Sequence, residues 1–301
     1  MQIFHPKTLK ERIGPELRKS KTLRILEKAE SYLLDRIENF YKWESAYDVM
    51  ANEVPYFKTM GYTEYAGNIM FQPLTLSLRD DQMLEAYYDD CDTLDYASEL
   101  RNRFDNKKVN KYEARENCFD KFKPKNNIVV LPGSNKIKSH ACMNKMQYIK
   151  KKHGQDVYFK PHPITTFQII GELKDFFGEK CILPRNADMY AYMQKANKVY
   201  TTHMSESVAY GVALGKEVEP IDVHNRVHES SYYSINRILF RKQKEGDKVI
   251  NKIFSSYKSG IINLDIDPNW KNKIDKYLDY ANEYRNTGKN WYIIKEKNKS
   301  N

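Results

Sequence analysis

The stretch Lys198–Val218, KVYTTHMSESVAYGVALGKEV, decides the fold because it changes from one kind of element to another within a single turn. It opens with the β-branched and aromatic run Val199–Thr202, which is typical of a buried strand. The small polar residues Ser205–Ser207 follow. The apolar run Val208–Leu214 then favours a helix that ends at Gly215. The stretch therefore predicts a strand, a polar turn and a helix in succession.

The same alternation runs through the whole second half of the chain. The predicted strands are Ile128–Leu131 and the strands within DVYFKPHP, KCILP, KVYTT and KEVEPIDV. The predicted helices are KSHACMNKMQYIKKKHG, ITTFQIIGELKDFFG, NADMYAYMQKA (with Asn186 as N-cap) and SESVAYGVALG. Short strands separated by longer helices predict a parallel sheet with right-handed crossovers. The predicted fold class is α/β, with a Rossmann-like parallel-sheet domain.

The first half has a different pattern. Thr22–Trp43 and the segment DDQMLEAYYDDCDTLDYASELRNRF carry apolar residues at helical spacing. Asn68–Leu78 favours extended chain, with Pro73 predicting an edge strand or a bend. Residues 105–127 are expected to be a linker or a surface segment. We predict a mainly helical domain over 1–124, the Rossmann-like domain over 125–265, and a C-terminal helix and tail over 266–301.

Composition restricts the class of protein. A hydrophobic fraction of 41% with 13% aromatic residues excludes a disordered chain. The net charge of +10 favours an anionic partner: nucleic acid, an anionic membrane face or a phosphorylated substrate. The four cysteines are far apart and form no C-x-x-C, so neither a zinc ribbon nor a disulfide framework is indicated. We expect reduced thiols, no transmembrane segment and a cytoplasmic location, with a peripheral membrane role left open.

Ligands of parallel α/β sheets bind beyond the carboxyl ends of the strands, so the residues after each strand are the candidates for chemistry. After the first strand, Gly133 offers a turn, Ser134 a hydroxyl and Lys136 a positive charge, which together suit a phosphate. After the second strand, Lys160 lies close to His162, and a proline on each side of His162 fixes its backbone. The alternatives are a simple turn and a solvent-facing histidine.

The third loop, His203–Ser207, precedes a helix. Ser205 is the expected N-cap, and the helix dipole favours a diphosphate there, close to His203 and Ser207. Glu206 could bind ribose hydroxyls, and the alternative is a cap without a ligand. The sequence contains neither a Walker loop nor G-x-G-x-x-G, and it presents no metal-binding motif.

Residues 126–224 resemble the C-terminal half of GT-B glycosyltransferases. LPGS looks like the first loop of that half in lipid A disaccharide synthase-like enzymes. KPHP, together with ADMYAYMQKANKVYTTHMSESVAYGVALGKEV, is similar to capsule polysaccharide transferases and teichoic-acid-type polymerases. Those families carry a His-Pro motif, a strand of the type A-D/N-x-V-x-T, a serine-rich turn and a helix that ends in A-L-G-K-P-V.

The resemblance implies a nucleotide-sugar co-substrate, with a UDP-sugar expected and no metal evident. It implies that Ser134 and Ser205 contact phosphate and that His162 contacts the phosphates or the ribose. The sequence departs from the family at Tyr210, where many members have a ribose-binding glutamate, and at Glu217, where proline is usual.

Inverting members of the family take their catalytic base from the N-terminal half. A base must deprotonate an acceptor hydroxyl, so a carboxylate at a loop or a strand end is expected. Glu64, Asp80 and Asp81 are the candidates, and a surface carboxylate is the alternative for each. Retaining members need no such base.

Two acceptors fit a basic cytoplasmic transferase. The slightly preferred one is hydroxymethylated DNA, as in bacteriophage base-modifying glycosyltransferases, which would place the protein in the host cytoplasm. Lysines that could follow the DNA backbone are Lys107, Lys108, Lys111, Lys121, Lys123 and Lys125. The other acceptor is an anionic surface polysaccharide at the inner membrane face. A protein that binds nucleotide or nucleic acid without catalysis is the third hypothesis, and Tyr210 supports it.

Overall fold

The computed structural model describes residues 39–42, 59–73, 93–105, 116–132, 143–163, 165–222 and 231–286. In chain order the strands are β1 (Asn39–Lys42), β2 (Thr59–Tyr65), β3 (Asn68–Pro73), β4 (Asn127–Val130), β5 (Val157–Lys160), β6 (Lys198–Thr201), β7 (Glu217–Pro220) and β8 (Ile261–Ile262). The helices are α1 (Tyr96–Asp105), α2 (Met143–His153), α3 (Phe167–Phe177), α4 (Met189–Lys195), α5 (Ser207–Ala213), α6 (Ser231–Lys242), α7 (Asp247–Ser255) and α8 (Trp270–Asn286).

The chain divides into two compact units. The first unit comprises Met1–Tyr96, Glu229–Ser231 and Asn251–Asn301, and the second comprises Ala97–His228 and Tyr232–Ile250. The second unit therefore begins near the start of α1, upstream of the boundary expected at residue 124. The physical reason is that Arg101 of α1 donates to the carbonyl oxygen of Ala213 at 3.0 Å and pairs with Asp247 at 2.6 Å.

The second unit contains the predicted parallel sheet. Its four strands lie in the order β5-β4-β6-β7, and all three pairings are parallel. Val129 of β4 lies opposite Phe159 of β5 on one side and Tyr200 of β6 on the other. The strands match the predicted β-branched and aromatic runs, so the α/β class with a parallel sheet is confirmed.

Helices cover both faces of this sheet. On one face, the apolar side chains of α2 and α3 pack against the strands, and Phe159 stacks on Phe177 with ring centroids 4.2 Å apart. Burying each large apolar side chain of this kind contributes about 1.5–3 kcal/mol. On the other face, α5 approaches β7 so closely that a Cβ at Gly211 would lie 2.7 Å from Cγ2 of Val218. Glycine at this position is what permits the close approach.

On β6 and β7, charged side chains form a network of ion pairs with one another and with α2. Lys198 pairs with Glu217 and, at 2.8 Å, with Glu219, which also binds Lys145 of α2 at 2.5 Å. Burial lowers the pKa of Lys198, but its hydrogen bonds to the two glutamates outweigh burial and hold the pKa above its ordinary value. The same hydrogen-bonded lysines overcome burial at Glu219 and keep its pKa below the ordinary value.

The first unit contains a second sheet, in the order β1-β2-β3-β8. β2 and β3 form an antiparallel hairpin whose turn residues, Ala66 and Gly67, have φ values of 49° and 74°. Positive φ at both positions is the geometry of a tight primed turn. The side-chain amide of Asn68 donates to the carbonyl of Ala66 at 3.0 Å and so fixes this turn.

Contacts between residues far apart in the sequence hold the first unit together. Asn263, after β8, donates to the side chain of Asn68 at 2.7 Å. The buried ammonium of Lys273 on α8 donates to the carbonyl of Phe254 at 2.6 Å and to the hydroxyl of Tyr96 at 3.3 Å. Burial of this ammonium is tolerated because hydrogen bonds replace its hydration. Residues far apart in the sequence therefore build one core, to which Lys273 of α8 contributes.

Several sequence-based predictions for the first unit differ from the structure. The end of the predicted helix Thr22–Trp43 is strand β1, because Asn39–Lys42 pairs in parallel with β2. The rest of that predicted helix lies outside the described residues. Within the domain predicted to be mainly helical, the described residues 39–42, 59–65 and 68–73 lie in strands and Tyr96–Asp105 is a helix, and most of its other residues lie outside the described part of the chain. β3 is not an edge strand, since β8 pairs with Ile69 and Met70; Pro73 is tolerated because it lies beyond that pairing.

Two local predictions in the second unit are also corrected. KCILP was predicted to be a strand, but it forms a 3-10 turn, Glu179–Cys181, followed by a single bridge between Ile182 and Phe159. The N-cap of α4 is Asp188 rather than Asn186, because the Asp188 carboxylate accepts from the backbone amides of Tyr190 and Ala191. Among the described helices, none has the length and apolar character needed to cross a membrane.

Candidate functional site

The sheet order creates a crevice at the carboxyl ends of β4 and β6. The chain passes from β4 to β5 on one side and then crosses to β6 on the other side, so the direction of winding reverses between β4 and β6. This reversal is where ligands of open α/β sheets bind. Thr201 links the ends of the two strands, since its hydroxyl donates to the carbonyl of Val130 at 3.3 Å.

A histidine and a carboxylate form a buried pair at this edge. His203 follows β6 and Asp222 follows β7, and Nδ1 of His203 lies 2.7 Å from Oδ1 of Asp222. The backbone amide of His203 also donates to both carboxylate oxygens of Asp222, at 3.2 and 3.1 Å. The side chains are only 11% and 4% exposed. The carboxylate therefore fixes the ring orientation and favours the tautomer that carries its proton on Nδ1.

Side chains of α6 hold the backbone of the third loop, His203–Ser207. Asn236 of α6 is fully buried, and its amide donates to the carbonyls of His203, at 2.7 Å, and of Ser205, at 3.0 Å. The ring of Phe240, one turn further along α6, meets the imidazole edge to face with centroids 4.8 Å apart. The loop that presents His203 is therefore pre-organised by the sheet below it and by α6 beside it.

Hydroxyl groups form a chain across the same turn. Oγ of Ser207 lies 2.8 Å from Oγ1 of Thr201 and 2.6 Å from Oγ of Ser205. Ser207 is fully buried, so its hydroxyl joins strand to helix and does not face solvent. The residue directly before α5 is Glu206, whose side chain makes no cap bond, whereas the hydroxyl of Ser205, the predicted N-cap, accepts from the backbone amide of Ser207 at 3.3 Å. Ser205 and Glu206 remain partly exposed.

Thr202 lies between Thr201 and His203 in the sequence. It is fully buried at the carboxyl end of β6, and within the described part of the chain its hydroxyl has no hydrogen-bond partner. A buried hydroxyl without a partner costs about 1–3 kcal/mol. An uncompensated polar atom at the reversal point is the kind of group that a bound ligand or an ordered water satisfies.

The two predicted site residues of the second loop, Lys160 and His162, differ in exposure. Lys160 is only 3% exposed, and its ammonium donates to the carbonyls of Pro161, at 2.6 Å, and of Arg185, at 2.8 Å. It therefore braces the loop from inside, which differs from the prediction that it projects towards a ligand. His162 is partly exposed, and its carbonyl accepts from the amide of Thr165 at 2.9 Å.

The other predicted site residues fall elsewhere. Glu64 lies on β2 of the first unit, opposite Ile69 in the hairpin. Asp80 and Asp81 lie outside the described residues, as do Gly133, Ser134, Lys136, Lys107, Lys108 and Lys111. Tyr210 is 1% exposed and packs edge to face on Tyr190. Lys121 and Lys123 are exposed, whereas Lys125 lies over the Tyr158 ring, and burial lowers its pKa.

Sequence reasoning missed Asp222, Asn236 and Thr202. Asp222 lies inside the predicted strand KEVEPIDV, whereas the observed strand β7 ends at Pro220, so the rule that selected the other loops passed over it. Asn236 gave no such signal, because its partners lie on another element. Among the described residues, no group of three or more histidine, cysteine or acidic side chains is placed to hold a metal.

The geometry is thus a pre-organised histidine–aspartate pair at the ends of β6 and β7, with a second histidine after β5, on the far side of β4. Comparison with known protein families gives no matching family model, and comparison with curated proteins gives no significant match.

Proposed function

We propose that the protein is a nucleotide-sugar-dependent glycosyltransferase with a GT-B-like arrangement. The observation that carries the proposal is the His203–Asp222 pair at the carboxyl ends of β6 and β7, beside the reversal point of the sheet. The Asp222 carboxylate holds the His203 ring in one orientation at this edge, where the phosphates of a donor are proposed to bind. His162, after β5, is proposed to contact the same donor.

In the proposed reaction the bond between the anomeric carbon and the phosphate oxygen breaks. Its electron pair leaves with the nucleotide, whose phosphate is proposed to lie against the His203 ring. A hydroxyl oxygen of the acceptor bonds to the anomeric carbon and gives its proton to a carboxylate or to water. Glu64 and Asp80 remain the proposed carboxylates of an inverting enzyme.

The arrangement of the chain supports the GT-B proposal. The first unit combines the N-terminal strands with α8, so the chain returns to its first unit after completing the parallel sheet. A C-terminal segment that rejoins the first domain is expected from the resemblance stated above. The net charge of +10 supports an anionic acceptor, and hydroxymethylated DNA is the acceptor we propose first.

A second candidate function rests on Tyr210. This residue stands where many related enzymes have a ribose-binding glutamate, but here it is buried in the core against Tyr190. A protein that binds a nucleotide without turning it over would tolerate that replacement. This candidate predicts donor binding with no sugar transfer.

The test is a transfer assay with the purified full chain. The protein is incubated with a panel of nucleotide sugars and, separately, with hydroxymethylated DNA, unmodified DNA or bacterial glycan, and the acceptor is analysed by mass spectrometry. A hexose- or pentose-sized gain on hydroxymethylated DNA alone supports the proposed enzyme. A gain on glycan alone moves the acceptor to surface polymers. No gain with any acceptor, while nucleotide still binds, supports the second candidate and overturns the enzyme.

A further inference from the structure

The segment after α3 is built onto the free edge of β5. Ile182 bridges to Phe159, and the amide of Leu183 donates to the carbonyl of Phe159 at 3.0 Å. The ammonium of Lys160 then holds the carbonyl of Arg185 at 2.8 Å. These contacts fix the backbone of Arg185 at the carboxyl end of β5, beside the loop that carries His162.

Arg185 covers one face of an exposed aromatic ring. Its guanidinium carbon lies 4.1 Å from the ring centroid of Phe167, and its Nη1 lies 3.5 Å from the carbonyl of Thr165. Phe167 is the first residue of α3 and is 73% exposed, more than Tyr148 at 55% or Phe176 at 54%. A planar cation stacked on one face of the ring holds that ring in position at the ligand edge of the sheet.

The turn between His162 and α3 holds a further polar group. Thr165 is fully buried, and within the described residues its hydroxyl has no hydrogen-bond partner. An exposed ring and a partly exposed guanidinium therefore lie in the stretch next to His162, and within the described residues a buried hydroxyl without a partner lies in the same turn. An exposed aromatic ring beside uncompensated polar groups is typical of a binding site.

We propose that Phe167 and Arg185 form the platform on which the nucleobase of the donor stacks, with its phosphates directed towards His162 and His203. This inference rests on the proposed function, because it specifies which part of a nucleotide sugar binds at the edge of β5. Every nucleobase has a flat π-face, and stacking on an aromatic side chain is tolerant of base identity. The platform therefore accounts for binding of the base without hydrogen-bond recognition of its edge.

The test measures nucleotide affinity by calorimetry for the full chain and three variants. The probes are CMP, UMP, AMP and GMP, together with ribose 5-phosphate, which lacks a base. We expect F167A to weaken binding of the best nucleotide roughly tenfold and F167W to retain it, because stacking on the ring is lost in the first and kept in the second. Ribose 5-phosphate should bind wild type and F167A equally.

F176A is the matched control, since it removes an exposed ring from the same helix and should bind all probes as wild type does. The platform is overturned if F167A binds nucleotides normally, if it loses ribose 5-phosphate in parallel, or if wild type binds no nucleotide. Sugar transfer measured on the same preparations separates the two proposals. Base-dependent binding without transfer overturns only the enzyme, and transfer with unchanged affinity in F167A overturns only the platform.

Discussion

Asp222 accepts three hydrogen bonds from one residue, His203: one from the ring nitrogen Nδ1 at 2.7 Å and two from the backbone amide. The carboxylate therefore sets both the direction of the loop and the orientation of the imidazole. The pair therefore joins the ends of β6 and β7.

Replacing Asp222 should separate the proposed chemistry from folding. In D222N the side chain keeps its shape but is neutral, and its NH2 group would face the backbone amide of His203 in place of the Oδ2 that accepts from it. We expect sugar transfer to fall about 10²-fold or more, with a smaller effect on donor affinity. Initial rates over a range of donor concentrations measure both quantities. D175N, at an exposed position on α3, should behave as wild type; equal rates for D222N and wild type would remove His203 from the mechanism.

Asn236 should be essential for the stability of the third loop. N236A leaves two buried carbonyls without their donor, so we expect the free energy of unfolding to fall by about 1–3 kcal/mol. N236D should be worse, because a carboxylate would face the same two carbonyl oxygens. Urea unfolding measures both variants.

The control for Asn236 is N144D, at an exposed position of α2, which should change stability by no more than about 0.5 kcal/mol. If N236D were as stable as N236A, the two carbonyl contacts would not be what makes this residue matter.

Two glycines should respond in opposite directions to alanine. A Cβ at Gly211 would lie 2.7 Å from Val218, so G211A should lower the free energy of unfolding by about 1–3 kcal/mol. A Cβ at Gly171, inside α3, would meet nothing within 4 Å, so G171A should raise stability by about 0.5–1 kcal/mol. Chemical denaturation of both variants measures the difference. Destabilisation of similar size in both would mean that the approach of α5 to β7 is not what requires glycine.

His153 should make stability depend on pH. Its Nε2 lies 2.8 Å from the Tyr200 hydroxyl, and burial, together with Lys152 and Lys198, lowers its pKa against the opposing effects of Asp156 and Glu219. The unfolded chain therefore binds more protons than the fold does below the ordinary histidine pKa of about 6.5. The stabilising contribution is complete above that pH and is lost as the pH falls below it.

The H153Q variant isolates this effect. Glutamine can still accept from Tyr200 but does not titrate, so the stability of H153Q should fall less than that of wild type between pH 7.5 and pH 5. Unfolding curves at both pH values give the comparison. Parallel losses in the two proteins would assign the pH dependence to other groups.

The sheet could be predicted from sequence because each of its strands is a short apolar run whose burial on both sides leaves a local signal. Val129, Phe159 and Val199 stand within such runs. KCILP gave the same signal but makes only one bridge, because whether an apolar run pairs fully depends on its neighbours in space. Asn186 and Asp188 are both good caps by composition, and only the geometry of the turn selects Asp188.

The candidate site could be predicted only as a set of loops. The rule that ligands meet the carboxyl ends of parallel strands selected the turns at His162 and His203, and both lie at that edge. It could not separate exposed from buried side chains within a turn, so Lys160 and Ser207 were grouped with the ligand-facing residues. Asp222 and Asn236 lie 19 and 33 positions beyond His203, and no local pattern records a contact over that distance.

Strand β8, which pairs with the hairpin of β2 and β3, is synthesised much later than the hairpin. β3 pairs with β8, and Asn68 binds Asn263, which is 195 residues further along the chain. At synthesis rates of about 5–20 residues per second, the hairpin waits roughly 10–40 s for that partner. All four strands of the parallel sheet emerge within this interval, so the second unit can fold while the first is still incomplete. Until β8 is made, the edge of β3 that pairs with it lacks its partner strand.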